Sequence, residues 1–306
     1  MRLYCTGGCG YHGSVLVPKL LDRGYEVTVL DTQWFGNYLL PHPNLTVVKG
    51  DVRDCKVPEG TEVVIHLAGV ANDPTGDLNA GITWNVNALG TMQLVDQSAR
   101  LGVRQFIYAS SGSVYGVSDS PEVTEDLPLV PLSEYNKTKM VAERVLLSYQ
   151  NQMAVQIIRP ATTCGYSPRM RLDVLVNNIT IGAITQSVVK FYGGEQMRPN
   201  IHIDDLTDLY IYMLERPALT GIYNAGFENL KVKEVAQMVV DRVRCRTARF
   251  PSTDPRSYRL NSDKLLATGF KPKKNVAMAI DEVIEKIRQG VLNDEDRYYN
   301  LKAMPR

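Results

Sequence analysis

The sequence has almost no excess of charge of either sign. Its 306 residues include 34 lysines and arginines against 33 aspartates and glutamates. A chain without a basic or acidic surplus has no general attraction for nucleic acid or for an anionic membrane surface. We therefore expect small-molecule partners, with any anionic ligand bound by individually placed groups, and neither nucleic acid nor a membrane.

Paired cysteines and long apolar runs are also missing. The five cysteines are scattered and include no C-x-x-C pair, at Cys5, Cys9, Cys55, Cys164 and Cys245. This spacing argues against a disulfide framework and a zinc site, so we predict no metal. No apolar run reaches the length of a membrane span, and an apolar strand begins at residue 2, which leaves no room for a signal peptide. We expect a cytoplasmic protein.

A glycine-rich turn lies close to the start of the chain. It follows an apolar strand at 3–5, precedes apolar residues at helical spacing at 14–21, and contains Gly7, Gly8, Gly10 and Gly13. A strand, turn and helix in this order bring free backbone N–H groups and the positive end of a helix dipole to one point, which suits a pyrophosphate. The alternative is a turn that needs glycine only for its backbone conformation.

An acidic residue after the next strand favours the first interpretation. The predicted strand at 26–30 ends at Asp31, where a carboxylate would accept hydrogen bonds from the hydroxyls of an adenosine ribose. Strand, glycine turn, helix, strand and acid together predict a dinucleotide site. Asp31 also favours NAD over NADP, because its carboxylate would repel a 2′-phosphate.

Strands and helices alternate over about the first half of the chain. Further strands are predicted at 45–49, 63–67, 105–109 and 153–159, with helices at 81–101 and from about residue 133. The alternation predicts an α/β fold, a Rossmann-type doubly wound parallel sheet, with a smaller mixed C-terminal substrate lobe. We predict a dinucleotide-binding domain at 1–165 with a return segment at about 200–226, and a substrate-binding lobe at 166–199 and 227–306. Residues 72–79 are predicted to form a loop, and 201–205 to return to the sheet.

Polar and small residues follow several predicted strands. Asp51 is either an adenine ligand or a turn residue, and the sequence does not separate the two. Ala68 and Gly69 would let a cofactor lie against the backbone. Asn87 lies inside a predicted helix, where asparagine is unfavourable, so it is either hydrogen-bonded or simply exposed.

Tyr135 and Lys139 are the most informative pair. Their i, i+4 spacing places both side chains on one face of a helix. Tyrosine has a pKa of about 10, and lowering it by about 3 units takes about 4 kcal/mol, which a nearby ammonium and a cationic nicotinamide would supply. Ser110, Ser111 and Ser113 follow the fifth strand, at the edge where open sheets bind ligands. Joined to the glycine turn, the pair predicts catalysis rather than a surface contact.

Together these motifs resemble an extended short-chain dehydrogenase/reductase of the NAD-dependent epimerase/dehydratase family, which acts on nucleotide sugars. The matching segments are TGGCGYHG (6–13), GDV (50–52), HLAG (66–69), NVNALGT (85–91), YASSGSVYG (108–116), YNKTK (135–139), RPAT (159–162), RPNIHIDD (198–205) and DPRSYRLNSDK (254–264). The resemblance covers nearly the whole chain. It implies NAD as the cofactor, a nucleotide-diphospho-sugar as the substrate and a homodimer.

The resemblance also implies individual roles. Tyr135 takes the proton of a sugar hydroxyl, Lys139 holds the nicotinamide ribose and lowers the tyrosine pKa, and Ser111 binds the same hydroxyl. The cofactor residues are Gly7, Gly10, Tyr11, His12, Gly13, Asp31, Asp51, Val52, Leu67, Ala68, Gly69, Asn87, Tyr135, Lys139 and Thr162. The substrate residues are Ser110, Ser111, Arg169, Asn178, Arg198 and Arg256, of which Arg198 and Arg256 match positions that bind the nucleotide diphosphate.

Departures from the family pattern bear on the reaction. Sugar-nucleotide 4,6-dehydratases carry an Asp-Glu pair where Gly112 and Ser113 stand, so water elimination lacks its usual acid and base. Residues 159–173, with VNN at 176–178, are similar to a subgroup that includes GDP-heptose 4-dehydrogenases. That similarity implies oxidation at sugar C4, by an epimerase or a dehydrogenase, with Arg169 or Arg171 near the substrate. His12 and Cys164 also replace the usual residue types.

Two other classes share this sheet. A non-catalytic dinucleotide-sensing regulator usually lacks the tyrosine and lysine pair, so residues 135–139 argue against it. A dehydrogenase or reductase of a non-nucleotide substrate would give Arg198 and Arg256 no diphosphate to bind.

Overall fold

A parallel sheet of seven strands lies at the centre of the computed structural model, which describes residues 1–118, 120–254 and 256–304. The strands of the chain are Arg2–Thr6 (β1), Glu26–Asp31 (β2), Leu45–Lys49 (β3), Val63–His66 (β4), Gln105–Ala109 (β5), Ala154–Pro160 (β6), Thr162–Cys164 (β7), Val188–Tyr192 (β8), Met197–His202 (β9), Gly221–Ala225 (β10), Glu228–Lys231 (β11) and Arg246–Phe250 (β12). The central sheet has the order β10-β6-β5-β4-β1-β2-β3.

Every pairing in this sheet is parallel, which confirms the predicted doubly wound architecture. Strand order reverses between β1 and β4, which lie side by side with Thr6 opposite His66. In open parallel sheets the crevice at the carboxyl ends of such a pair is where ligands bind. The glycine turn follows β1 directly, so it lies at this crevice.

Helices cover both faces of the sheet. They are Gly13–Leu21 (α1), Asp73–Leu78 (α2), Ala80–Trp84 (α3), Thr91–Arg100 (α4), Glu134–Leu147 (α5), Leu175–Thr185 (α6), Ile203–Leu214 (α7), Val232–Val243 (α8), Asp263–Leu266 (α9), Val276–Arg288 (α10) and Asn300–Ala303 (α11). Two large apolar clusters lie on opposite sides of the sheet, because neighbours such as Tyr4 and Cys5 point to opposite faces. Across the three described ranges, no helix combines the length and the apolar character that a membrane crossing needs.

The second region contains two smaller sheets. One has the order β11-β9-β7, with β9 antiparallel to β11 and parallel to β7, and the other pairs β12 with β8. The prediction that 201–205 returns to the central sheet was wrong. Met197–His202 belongs to the three-stranded sheet, and the strand that rejoins the central sheet is β10, beside β6. The predicted domain boundaries stay a prediction, which limited proteolysis would test.

Two helical stretches differ from the predictions. Asp73–Leu78 is a short helix rather than a loop, because the Asn72 side chain caps it by accepting from the Thr75 N–H at 3.0 Å and Pro74 fits a first turn. The predicted helix at 81–101 contains a π-helical turn at Asn85–Gly90 between α3 and α4. This turn carries Asn87, and such turns are frequent at functional sites.

Candidate active site

The glycine turn packs against the neighbouring strand more closely than any side chain would allow. Gly7 has a φ of +75°, and a Cβ there would lie 2.5 Å from the backbone nitrogen of Ala68. At Gly13 a Cβ would lie 2.4 Å from the carbonyl oxygen of Gly8. Helix α1 begins at Gly13; the Ser14 N–H already donates to the Gly10 carbonyl at 2.9 Å, whereas the N–H groups of Tyr11, His12 and Gly13 have no acceptor in the described part of the chain. The turn therefore presents donors to the crevice, as a dinucleotide phosphate requires.

Gly7→Ala tests the close approach. Gly24 is a matched control, because its φ of +77° is close to that of Gly7 but a Cβ there meets nothing within 4 Å. Both alanine variants adopt the same unfavourable backbone, whereas only Gly7→Ala also forces atoms together. We expect Gly7→Ala to lower the free energy of unfolding by about 1–3 kcal/mol more than Gly24→Ala in urea titrations. Equal losses in the two variants would contradict this packing.

Asp31 ends β2 with its carboxylate at the crevice. One oxygen accepts from the Cys9 N–H at 3.0 Å and the other from the Gln33 N–H at 2.7 Å. Burial raises the pKa of Asp31, while these two backbone donors oppose the shift. Each carboxylate oxygen has a second lone pair available, so the group is still able to accept from a ribose hydroxyl.

Asp51 is placed by the turn after β3. Its side chain accepts from the Arg53 N–H at 2.9 Å and pairs with the Arg53 guanidinium at 2.8 Å, which lowers its pKa. These bonds match the second of the two interpretations, in which Asp51 is a turn residue. Asp51 and Val52 nevertheless line the cleft, and an adenine contact stays a prediction.

Asn87 holds the loop after β4. Its side-chain oxygen accepts from the Val70 N–H at 2.8 Å, and its nitrogen donates to the Val70 carbonyl at 3.0 Å and to the Thr138 hydroxyl at 3.1 Å. A Cβ on Gly69 would lie 3.0 Å from that amide oxygen. Asn87 therefore has the hydrogen-bonding role predicted for it, but it joins the loop to α5, and its assignment to the cofactor stays a prediction.

The carboxyl edge of the sheet forms an open cleft with an empty volume of about 1230 Å³. Most residues predicted to bind the cofactor line it, namely Gly7, Gly10, Tyr11, His12, Gly13, Asp31, Asp51, Val52, Leu67, Ala68, Gly69, Tyr135 and Lys139. Ser110 and Arg169, predicted for the substrate, line it as well. Six other predicted site residues are not among the described residues that line the cleft, namely Asn87, Ser111, Thr162, Asn178, Arg198 and Arg256.

Helix α5 brings Tyr135 and Lys139 to the cleft. Ser133 caps the helix by accepting from the Asn136 N–H at 3.2 Å. The Lys139 ammonium donates to the Ala109 carbonyl at 2.8 Å and lies 5.9 Å from the centre of the Tyr135 ring. The predicted pair therefore meets the end of β5.

Burial dominates the electrostatics of this pair. It lowers the pKa of Lys139 to about 7 and raises the pKa of Tyr135 to about 12, with the Ser111 hydroxyl opposing the latter. The polypeptide by itself does not lower the tyrosine pKa, because the lost solvation of a phenolate outweighs the polar groups around it, and the predicted lowering with a cationic nicotinamide present stays a prediction. A phenol in this site needs additional positive charge before it is a base at neutral pH.

Lys139→Met tests the buried ammonium. The unfolded lysine has a pKa of about 10.4, so between about pH 7 and 10 the unfolded state holds a proton that the folded state has lost. Stability of the natural protein therefore falls as the pH falls through this window, and the methionine variant lacks that loss. We expect the stability advantage of Lys139→Met to grow as the pH drops from 10 to 7.

Urea titrations at several pH values measure this advantage. Lys137→Met, which removes a half-exposed lysine of the same helix, is the control. Parallel curves for the natural protein and Lys139→Met would contradict the account.

A buried ion pair lies beside the face of α5 that carries Tyr135 and Lys139. Glu143 is one further turn along the face of Tyr135 and Lys139, and it pairs with Arg159 through bonds of 2.9 and 2.6 Å. Both side chains are almost fully buried. The Ser110 hydroxyl donates to the same carboxylate, so the pair fixes a residue of the cleft wall.

Ser111 begins a second chain of hydroxyl contacts. Its oxygen lies 2.6 Å from the hydroxyl of Ser113, which donates to the Asn136 side-chain oxygen at 2.5 Å. Asn136 follows Tyr135 on the first turn of α5, so this chain of contacts ends next to that residue. Ser111 is therefore placed to share a ligand hydroxyl with Tyr135, although it does not line the described cleft wall.

Arg198 and Arg256, both predicted to bind the nucleotide diphosphate, lie side by side and outside the lining of the cleft. Asp254 pairs with Arg198 at 2.9 Å and with Arg256 at 2.9 and 2.7 Å. Arg256 also donates to Asp73 of α2 at 2.5 Å, and Asp73 accepts from Ser133 at 2.5 Å. The cluster is thus linked to the cap of the helix that carries Tyr135. Sequence reasoning missed Asp73, which it had placed in a loop.

The structure places three other predicted residues apart from this cluster. Asn178 donates to the Leu172 carbonyl at 2.8 Å, and Thr162 lies in β7 opposite Asn200. Arg169 lies in the cleft among the cofactor residues, with its guanidinium 4.0 Å from the centre of the Phe35 ring. Its assignment to the substrate stays a prediction.

Several cleft residues were missed. Trp34, Phe35 and Gly36 follow Asp31 closely, and an aromatic pair right after the acid predicted to bind ribose was a usable signal. Asn300 and Met304 come from the C-terminal segment. No motif identifies these two residues, because they are far in sequence from the other residues that line the cleft.

Comparison with known proteins agrees with this geometry. The model of the NAD dependent epimerase/dehydratase family matches residues 3–226. The uncharacterized protein y4nG of Sinorhizobium fredii is 30% identical over 242 residues, 77% of this chain and 59% of that protein. The chain thus spans about three fifths of the length of that relative. The putative UDP-glucose 4-epimerase of Methanocaldococcus jannaschii is 28% identical over 301 residues, 93% of this chain and 98% of that protein.

A solved structure extends the likeness to three dimensions. The UDP-glucose 4-epimerase of Thermus thermophilus in complex with NAD is 25% identical and has a TM-score of 0.83, covering 94% of this chain and 99% of that one. More than half of the sequence matches the family model, and the cleft carries the expected turn, acid and tyrosine–lysine pair. The chain therefore belongs to the NAD-dependent epimerase/dehydratase family, whose cofactor is NAD.

Proposed function

We propose that the protein is an NAD-dependent epimerase or dehydrogenase of a nucleotide-diphospho-sugar, with hydride transfer at a sugar carbinol, C4, and Tyr135 as the base. The observation that supports this most directly is the meeting of Tyr135, Lys139 and Ser110 in one cleft with the glycine turn and Asp31. Similarity to proteins described as UDP-glucose 4-epimerases supports the substrate class.

Each side chain at this end of the cleft has a separate proposed role. Tyr135 accepts the proton of the sugar hydroxyl, and Ser111 binds the same oxygen. Lys139, held by the Ala109 carbonyl at 2.8 Å, lies 5.9 Å from the centre of the Tyr135 ring, where its protonated form supplies a positive charge. Bound NAD supplies the hydride acceptor and a further positive charge. That charge opposes the burial that raises the pKa of Tyr135 to about 12.

The arginine cluster is the proposed diphosphate site. Arg198 and Arg256 are held side by side by Asp254, and guanidinium groups suit phosphate geometry. A diphosphate would replace carboxylate partners of Arg256, including Asp73. Two adjacent guanidinium groups support a nucleotide substrate over a substrate without a diphosphate.

Water elimination is disfavoured by the residues after Ser111. Gly112 carries no side chain, and Ser113 is bonded to Asn136, so neither supplies a carboxylate. The proposal is accordingly an epimerase or dehydrogenase in preference to a 4,6-dehydratase.

The test is incubation of the protein with GDP-, UDP-, CDP- and dTDP-sugars, with and without added NAD. Absorbance at 340 nm and product mass are followed. NADH in equal amount to a product two mass units lighter indicates a dehydrogenase, and unchanged mass with altered stereochemistry indicates an epimerase. No reaction with any sugar, equally in Tyr135→Phe, would refute the proposal and favour a dinucleotide-sensing regulator.

A homodimer and a cytoplasmic location stay predictions. Leu89 and Met92, on the helical stretch that carries Asn87, are 47% and 41% exposed. Exposed apolar side chains on this stretch support an association between copies. Sedimentation velocity would measure it.

A further inference from the structure

Arg169 is buried without the partner that such a charge normally has. Its side chain is 2% exposed, and no described carboxylate lies within ion-pair distance of its guanidinium. It donates to the Met170 carbonyl at 3.2 Å and to the Asn300 side-chain oxygen at 2.6 Å, while its Nε is buried without an acceptor in the described part of the chain. A buried guanidinium is costly unless an anion accompanies it.

The position of Arg169 indicates which anion that is. The side chain lines the cleft that contains the glycine turn, and it stacks on Phe35, which follows Asp31. Arg169 and Arg171 line this cleft together with His12, the residue just before α1, whose pKa is lowered to about 3 by burial and, to a smaller extent, by the nearby cations. Both arginines therefore share one cleft with the turn that leads into α1.

The two arginines are not equivalent. Arg171 lines the same cleft but already has a carboxylate, since Asp173 accepts two of its bonds at 3.0 and 3.1 Å. Arg169 has only neutral acceptors. Asp173 and, more weakly, Asp31 act on it electrostatically without bonding to it, and both carboxylates already have other donors.

We infer that Arg169 binds the diphosphate of the dinucleotide from the side opposite the glycine turn, with Asn300 orienting its guanidinium. The phosphates would then lie between the N-terminus of α1 and a side chain from beyond residue 165. This assigns Arg169 to the cofactor instead of the sugar. The inference rests on NAD as the cofactor and not on the proposed sugar chemistry. A failure of the proposed reaction would therefore leave the inference about Arg169 unaffected.

The C-terminal segment contributes to this site. Asn300 lies at the start of α11, its N–H donates to Asp173 at 3.2 Å, and the Tyr298 carbonyl accepts from the Leu172 N–H at 2.9 Å. Residues 298–300 are thus tied to the segment 169–173. Asn300 is a positioning residue, because it acts on the phosphate only through Arg169.

Calorimetric titration with NAD, ADP and adenosine distinguishes contacts with the phosphates from contacts with the rest of the cofactor. The binding of adenosine is measured by displacement. For Arg169→Met we expect Kd to rise about 10- to 100-fold for NAD and ADP and to stay within about twofold for adenosine. Arg169→Lys keeps the charge without the planar fork and should recover part of the loss. Asn300→Ala should weaken NAD and ADP less than Arg169→Met does.

Arg100→Met, which removes an exposed arginine of α4, is the matched control. Melting temperatures of the free proteins show whether the variants are folded. Unchanged Kd values in a folded Arg169→Met would overturn the inference. So would an equal loss for adenosine and ADP, which indicates a distorted cleft.

Discussion

Tyr135→Phe is expected to lower kcat by about 100- to 10,000-fold, the usual contribution of a general acid–base group. The ring stays, so its packing in the cleft beside Lys139 is unchanged, and only the proton acceptor is removed. Because the loss lies in the chemical step, the Kd of NAD should change by less than about tenfold. Steady-state rates and calorimetric NAD titrations on the same preparation measure both quantities.

Tyr192→Phe is the control for this change, since that tyrosine is 62% exposed and lies in β8 away from the cleft. It should keep full activity. A Tyr135→Phe protein that turns over within about threefold of the natural rate would show that another group takes the proton. Loss of NAD binding together with activity would mean that the hydroxyl serves the cofactor instead.

Glu143→Gln is expected to lower the free energy of unfolding by about 3–5 kcal/mol, because it leaves the Arg159 guanidinium buried without its counter-charge. Both side chains are at most 2% exposed, and Arg159 is further bonded to the Tyr115 hydroxyl at 2.6 Å. Solvent therefore does not compensate the lost charge. Urea unfolding at neutral pH gives the difference.

Two comparisons sharpen this prediction. Glu143→Leu combined with Arg159→Met removes both charges and should restore most of the stability, since a buried ion pair is often no better than apolar packing. Asp96→Asn breaks an exposed pair with Arg100 and should cost no more than about 1 kcal/mol. A Glu143→Gln loss as small as that of Asp96→Asn would contradict the account.

The buried pair also bears on activity. Ser110 donates to Glu143, and Ser110 lines the cleft. The double variant removes this acceptor while keeping the fold. We therefore expect it to be stable but impaired in substrate binding, which separates the structural from the positioning role of Glu143.

Local signals predicted the elements that surround the cofactor. The strand, the glycine turn and α1 are each encoded within about a dozen residues, and the spacing of Tyr135 and Lys139 alone places them on one helix face. Asp31 ends β2 as expected. These predictions did not depend on contacts between distant parts of the chain.

Contacts between distant segments were not predictable in the same way. Arg169 meets Phe35 and Asn300, which lie 134 residues before and 131 residues after it. Residues 73–78 form a helix although the polar segment 72–79 suggested a loop, and this helix packs on α5 so tightly that a Cβ on Gly76 would lie 2.8 Å from that of Tyr135. Tertiary packing decided these positions.

The electrostatics of the site were also beyond the sequence. The i, i+4 spacing suggested that Lys139 lowers the Tyr135 pKa, but the sequence does not show that both groups are buried. Burial penalises the charged form of each group, so it raises the pKa of the phenol and lowers the pKa of the ammonium.

The most direct test of the account uses the nucleotide sugar that reacts in the panel, carrying deuterium at C4. Product, cofactor and solvent are analysed by mass spectrometry after turnover. The account predicts that the deuterium is found in reduced NAD or again at C4 of the product, because a hydride carried by NAD does not exchange with water. Deuterium released to the solvent would mean that C4 loses a proton, and that the proposed reaction is wrong.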